Sequence, residues 1–150
     1  MAGIAIREAV ATDSEGIAEL IDQLGYAVSA DEVATRLDAI ESSGQQVLVA
    51  ELDERVAGCL STSTMTVLHR PAPVGRISMM VVAESLRGQG IGGRLVGAAE
   101  RLLAAKGCQI VEVTSNLRRA DAHRFWERIG YERTSARFAR TIRSSEENGG

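Results

Sequence analysis

A chain of 150 residues is long enough for one ordinary domain with its own core and short for two. Its 17 Lys and Arg against 20 Asp and Glu give a formal charge of -3 without any dense basic block, which excludes the electrostatic footprint of a duplex nucleic-acid binder or of a protein drawn to an anionic membrane. No stretch approaches the roughly 20 apolar residues of a spanning helix, and no basic, then apolar leader opens the chain, so it reads as soluble, intracellular and cytoplasmic.

Ile4 to Val10 alternate as a first strand. Thr12 and Glu15 stand three apart as a capping box, and Ile17, Leu20, Ile21 and Leu24 follow at helical spacing, predicting a helix that ends near Gly25. Ser29 and Glu32 repeat the box, with Val33, Leu37 and Ile40 behind them, and the second helix closes at Ser42-Ser43-Gly44. From Gln46 the period becomes strand-like: "VLVAEL", a charged turn at Asp53-Glu54-Arg55, "VAGCLSTSTMTVL", a Pro-containing turn, then "GRISMMVV". These three strands predict an antiparallel meander. "LRGQGIGGRL" opens a helix that carries Ile91, Leu95, Ala98, Leu102 and Leu103 on one face and stops at Gly107. "QIVEVTS" is a further strand, Ala122, Phe125, Trp126 and Ile129 mark a short helix ending at Gly130, and "YERTSARFARTI" predicts one or two closing strands. Residues 144–150 read as a disordered tail, which leaves a single domain over 1–143.

Cys59 and Cys108 have neither C-x-x-C nor His spacing, so they suggest no disulfide framework and no metal site. The glycine stretch is the strongest signal. Glycines let successive backbone N–H groups converge on one point, and a helix N-terminus adds a partial positive charge, so a phosphate or pyrophosphate is the expected occupant. Gly88-x-Gly90-x-x-Gly93 satisfies a dinucleotide fingerprint, while Arg87-x-x-Gly90-x-Gly92 satisfies a different phosphate-binding pattern. The first requires an early strand-helix-strand unit followed by several parallel strands. Here the turn follows an antiparallel meander, and too little chain remains after Asn116, so the dinucleotide reading fails.

"VVAESLRGQGIGGRLVGAAERLLAAKG", followed by a strand and by "RRADAHRFWERIGYERTSARFAR", resembles the acetyl-CoA-binding half of the GNAT (general N-acetyltransferase) family. "IREAVATDSEGIAELIDQLGY" and "VLVAELDERVAGCLS" are similar to that family's first helix pair and its second and third strands, so the resemblance runs in family order over residues 4–140. It implies an α/β (α+β) fold with a mixed, mostly antiparallel central sheet, helices on both faces, and a strand pair splayed for the cofactor. It also implies acetyl-CoA as cosubstrate, a small-molecule amine as acceptor, and a homodimer.

Carried over position by position, the resemblance implies that the backbone N–H groups of Gly88, Gln89, Gly90, Ile91, Gly92 and Gly93, with Arg87 leading the loop, hold the CoA pyrophosphate. The main chain of Met80, Val81 and Val82 would pair with the pantetheine arm like an added strand. Arg119 and Trp126 fall where relatives approach the cofactor. Acetyl transfer requires a neutral amine, a polarised carbonyl and a leaving thiolate. The N–H of Val81 or Val82 is the candidate for polarising the carbonyl, and Glu112 and His69 are candidate bases acting through water. Two departures stand out: Ser78 and Met79 occupy positions where relatives carry a carboxylate, and Trp126 replaces the tyrosine that protonates the thiolate. An indole N–H donates a hydrogen bond but supplies no proton near neutral pH. Tyr131 takes the place of a packing aromatic, and His123 has no evident proton role. The helix pair from Tyr26 to Ser43, with Asp31, Glu32, Asp38 and Glu41, would shape the acceptor side for a small cationic amine in preference to a protein N-terminus or lysine. The departures keep a second reading open, a non-catalytic CoA-binding or regulatory module.

Overall fold

Five strands form one sheet in chain order: β1 (Ala5–Glu8), β2 (Gln46–Leu52), β3 (Arg55–Met65), β4 (Val74–Val82) and β5 (Ile110–Val113). β1 to β4 pair antiparallel, and β5 joins β4 in parallel. The computed structural model describes residues 3–115 and 120–143, and the chain divides into two compact units, Met1–Val113 and Thr114–Gly150. The first holds the sheet with α1 (Ser14–Leu24), α2 (Ala30–Ser42) and α3 (Ile91–Ala105), and the second holds α4 (Ala120–Arg128). Arg119 and the tail at 144–150 lie outside the described residues.

The sheet is covered on both faces, as its alternating strands require. On one face Ile17 and Leu20 of α1 and Val33 of α2 pack with Val49, Cys59 and Val81 of the sheet. On the other, α3 buries Ile91, Leu95, Ala99 and Leu103, a run at four-residue spacing centred on Ala99 rather than on the expected Ala98. Two strand glycines bring α3 close. A Cβ on Gly58 would stand 2.9 Å from Leu95 Cδ1, and one on Gly75 3.0 Å from a Leu103 methyl.

The second capping box forms as expected: the Glu32 N–H donates to Ser29 Oγ and the Ser29 N–H to Glu32 Oε1, each at 3.1 Å. The first does not. Thr12 lies inside a 3-10 turn, Ala11–Asp13, and α1 begins at Ser14. The Asp13 carboxylate instead accepts the Val10 N–H at 2.8 Å and a forked pair of bonds from Arg7 at 2.9 Å. A charge-assisted fork outcompetes a hydroxyl cap. The closing strands are a second correction, because residues 131–143 have no regular secondary structure. Strands persist only where a neighbour takes up their N–H and C=O groups. Phe138 and Ile142, the large apolar side chains that a packed strand would bury there, are almost fully exposed.

Candidate active site

β4 is the organising element. Its pairing with β5 runs from Val74↔Ile110 to Ile77↔Val113 and stops, while β4 itself continues through Ser78 to Val82. On its other side the register with β3 shifts: Thr62 opposes Ile77 and Ser61 opposes Met79, which leaves Ser78 as an unopposed extra residue. A β-bulge bends and twists its strand, so β4 turns away from the direction of β5 at the level where their ladder ends. Beyond this apex Met80, Val81 and Val82 keep their pairing to β3, opposite Leu60, Cys59 and Gly58. From Ser78 to Val82 the other edge has no strand partner among the described residues and extends for about 13 Å at strand rise, a template for an amide-bearing chain.

The glycine loop follows at the far end of that edge. The Ala83 N–H donates to Ala57 O at 2.8 Å, a 3-10 turn spans Glu84–Leu86, and Gly88 and Gly90 adopt φ of 84° and 80° before α3 begins at Ile91. Only glycine enters this left-handed region without strain. The first turn of α3 has no side-chain cap and no acidic residue, so its N–H groups and the helix dipole are left for an external anion. A Cβ at Gly88, Gly90 or Gly93 would meet nothing within 4 Å. These glycines therefore serve backbone conformation and outside approach, not internal packing. Arg87, Gly88, Gln89, Gly90 and Gly93 are exposed, with Ile91 and Gly92 buried behind them. The cradle fits a pyrophosphate.

The sequence candidates for proton chemistry are not brought together. Glu112 lies one pair inside the apex, opposite Arg76, whose Nη2 donates to Glu112 Oε1 at 3.1 Å. His69 occupies an exposed turn ahead of β4, at the end of that strand remote from the glycine loop. Trp126 in α4 lies edge-on to both Phe125 and Tyr131, each with ring centroids 5.1 Å apart, and the Tyr131 N–H closes on Trp126 O at 2.9 Å. Tyr131 is thus a packing aromatic. His123 lies with Nδ1 3.2 Å from an Arg133 nitrogen. Cys59 is enclosed in the α1–α2 cluster, and burial pushes its thiol up to about 12, so it offers no thiolate nucleophile.

On the helix-pair face the acids named from the sequence are solvent-facing, and Glu32 is committed to its cap, whose N–H and hydroxyl donors hold its carboxyl below the usual range. A different set lines an open cleft of about 510 Å³: Glu15, Glu19, Asp22 and Gln23 of α1, with Val28 and Ala30 opposite. The four- and seven-residue spacing of those three carboxylates was readable as one helix face. Gln23 was not readable: its Oε1 accepts the Glu84 N–H at 2.8 Å, across 61 residues, and ties α1 to the turn that opens the glycine loop.

The family model for the acetyltransferase (GNAT) family matches residues 15–131. The chain belongs to the GNAT family. A curated relative, the aminoalkylphosphonate N-acetyltransferase of Salmonella typhimurium, is 30% identical over 91% of this chain and 90% of its own. Among solved structures, an aminoglycoside N-acetyltransferase in complex with CoA superposes with a TM-score of 0.82 at 21% identity, over 93% of this chain and 95% of that one. The glucosamine-6-phosphate N-acetyltransferase of Arabidopsis thaliana gives 0.81 at 23% identity, over 93% and 99%. Both share the mixed, mostly antiparallel sheet described above.

As a GNAT enzyme the chain is an acetyl-CoA-dependent N-acetyltransferase that acetylates an amine. Acetyl-CoA supplies an activated acyl thioester. No helix among the described residues is long and apolar enough to cross a membrane.

Proposed function

We propose that this N-acetyltransferase works on a small cationic amine, with transfer taking place at the apex of the β4–β5 splay. The observation that carries this reading is the coincidence at Ser78 of the bulge and the end of the β4–β5 ladder, with the pyrophosphate cradle at the other end of the same strand edge. In this reading the backbone N–H groups from Gly88 to Gly93, led by Arg87, hold the pyrophosphate, and the main chain of Met80, Val81 and Val82 aligns the pantetheine arm. The Val82 N–H, or that of Val81, polarises the thioester carbonyl. The cleft carboxylates Glu15, Glu19 and Asp22 give the α1 face a negative field that draws cations, and the relative named as an aminoalkylphosphonate N-acetyltransferase supports an alkyl amine as the acceptor group.

An alkyl amine with a pKa of about 10.4 is mostly protonated at neutral pH and must lose a proton before attack. Glu112, one pair from the apex, takes that proton through water in preference to His69, which stands in the remote turn. A thiol with a pKa of about 8.5 is already a fair leaving group. Aligning the two reactants contributes several kcal/mol by itself, on the order of the effect expected for oriented partners, so the absence of a tyrosine at position 126 is tolerated. The homodimer expected of the family is part of the same proposal. Free-thiol release from acetyl-CoA across a panel of amines tests the acceptor class. Release with small alkyl amines supports it, and release only with peptide amines overturns it.

A further inference from the structure

Arg76 is the first charged side chain on β4 behind the apex, and the site described so far gives it no task beyond its contact with Glu112. Strand alternation fixes its face. A Cβ on Gly75 would meet Leu103 of α3, so Gly75 points toward α3 and Arg76 points to the opposite face, the one on which α1 and α2 cover Cys59 and Val81. An acyl arm laid back from the glycine loop along the free edge of β4 ends beside Ser78. The next polar feature beyond that end, one residue past Ile77, is the Arg76–Glu112 pair.

The pair is incompletely satisfied. Glu112 takes Nη2, while Arg76 Nε is shielded from solvent and has no hydrogen-bond partner among the described residues. A buried donor left unmade is costly. The Arg76 side chain as a whole is 42% exposed, so a ligand can reach this side chain from solvent. A guanidinium presents five N–H donors in a planar fork that matches an oxyanion in two-point contact. One carboxylate, itself half exposed, does not exhaust that capacity. Arg87 stands on the glycine loop at the opposite end of the edge, where the proposed reading gives it the cofactor's pyrophosphate.

We propose that the acceptor bears an oxyanion group, a carboxylate or a phosphonate, in addition to its amine, and that Arg76 receives this group while Glu112 faces the amine. This rests on the small-amine reading above and narrows it to zwitterionic acceptors. Arg76 is then a specificity residue: it sets which amine is presented at the apex and takes no part in proton transfer.

The test is calorimetric titration of the CoA-saturated enzyme with 2-aminoethylphosphonate, β-alanine and propylamine, paired with thiol release from acetyl-CoA and the same three amines. Wild-type enzyme is expected to bind at least one zwitterion about tenfold or more tightly than propylamine, as charge-assisted bonds to a fixed fork provide. Arg76→Met is expected to erase that preference and Arg76→Lys to restore part of it, with thermal unfolding showing both variants folded. If Arg76→Met does not fold, Arg76→Lys carries the comparison through a weakened preference. Equal binding of all three amines by the wild type, or an equal loss for all three in the variants, overturns the proposal. Arg76-dependent binding of a zwitterion without thiol release from any of the three would sustain the anion site and fail the small-amine reading.

Discussion

Asp13 is the most tightly held carboxylate among the described residues of the first unit. Its side chain is 7% exposed, it accepts the Val10 N–H, and the Arg7 guanidinium holds its carboxyl below the usual range. A depressed carboxyl contributes stability that is present above its unfolded value of about 3.9 and is lost as pH falls through the folded one. Removing Arg7 leaves that charge buried without its partner. Arg7→Met is therefore expected to cost about 1–3 kcal/mol at pH 7. The deficit should shrink toward pH 3, because Asp13 is then increasingly protonated in the variant, and urea unfolding at the two pH values measures it. A deficit that does not change with pH would mean that Arg7 acts by packing alone. None of this was legible in the sequence. Arg7 and Asp13 belong to a strand and a turn whose approach depends on the β1–β2 pairing, and Thr12 with Glu15 offered a nearer, false cap. Gly88 and Gly90 were legible, because the demand for positive φ is local and only glycine meets it freely.

Among elements, α3 shows how a strand position sets a site. Gly58 on β3 lies under the first turns of this helix: an added Cβ would press on Leu95 Cδ1 at 2.9 Å, Ile91 Cγ2 at 3.2 Å and the Val81 carbonyl at 3.3 Å. The first two are side-chain tips, but the third is backbone of the β4 edge itself. Gly58→Ala should destabilise the fold by about 1–3 kcal/mol, as overpacking does. It should also raise KM for acetyl-CoA more than KM for the amine, because the displaced elements are those to which the proposed reading gives the pyrophosphate and the pantetheine arm. Steady-state kinetics with each substrate varied in turn reads the split, and equal changes in both would mean that the helix moves without disturbing the cradle. Periodicity revealed α3 and its neighbours because a buried stripe repeats along one helix. It could not reveal the bulge at Ser78, since a register shift belongs to two strands at once. It also promised closing strands over 131–142, where the alternation lacks the apolar content that packing would require.

At the scale of the molecule, a chain of net charge -3 would, in the proposed reading, bind a polyanionic cosubstrate through amide dipoles rather than a basic patch, and the order of elements from β1 to α4 was readable as a family resemblance. The acceptor side was legible only in part: Glu112 stood out as a candidate base, but Arg76 and Gln23 acquire meaning only from strand pairing and from contacts between distant segments. The dipole strategy has a cost in stability. Gly93 lies within α3 with no positive φ, and a Cβ there would meet nothing beyond its own stretch of helix within 4 Å among the described residues. Alanine in a helix is favoured over glycine by about 1 kcal/mol, so Gly93→Ala should raise the unfolding free energy by up to that amount. The same methyl would project into the space from which a pyrophosphate approaches the first-turn N–H groups, so affinity for CoA should fall, by about tenfold if one charge-assisted bond is lost. Thermal unfolding without ligand and calorimetric titration with CoA therefore move in opposite directions for one substitution. If the stability gain comes without a loss of affinity, the Gly93 N–H does not belong to the cradle, and the anion is held by the loop from Arg87 to Gly92 alone.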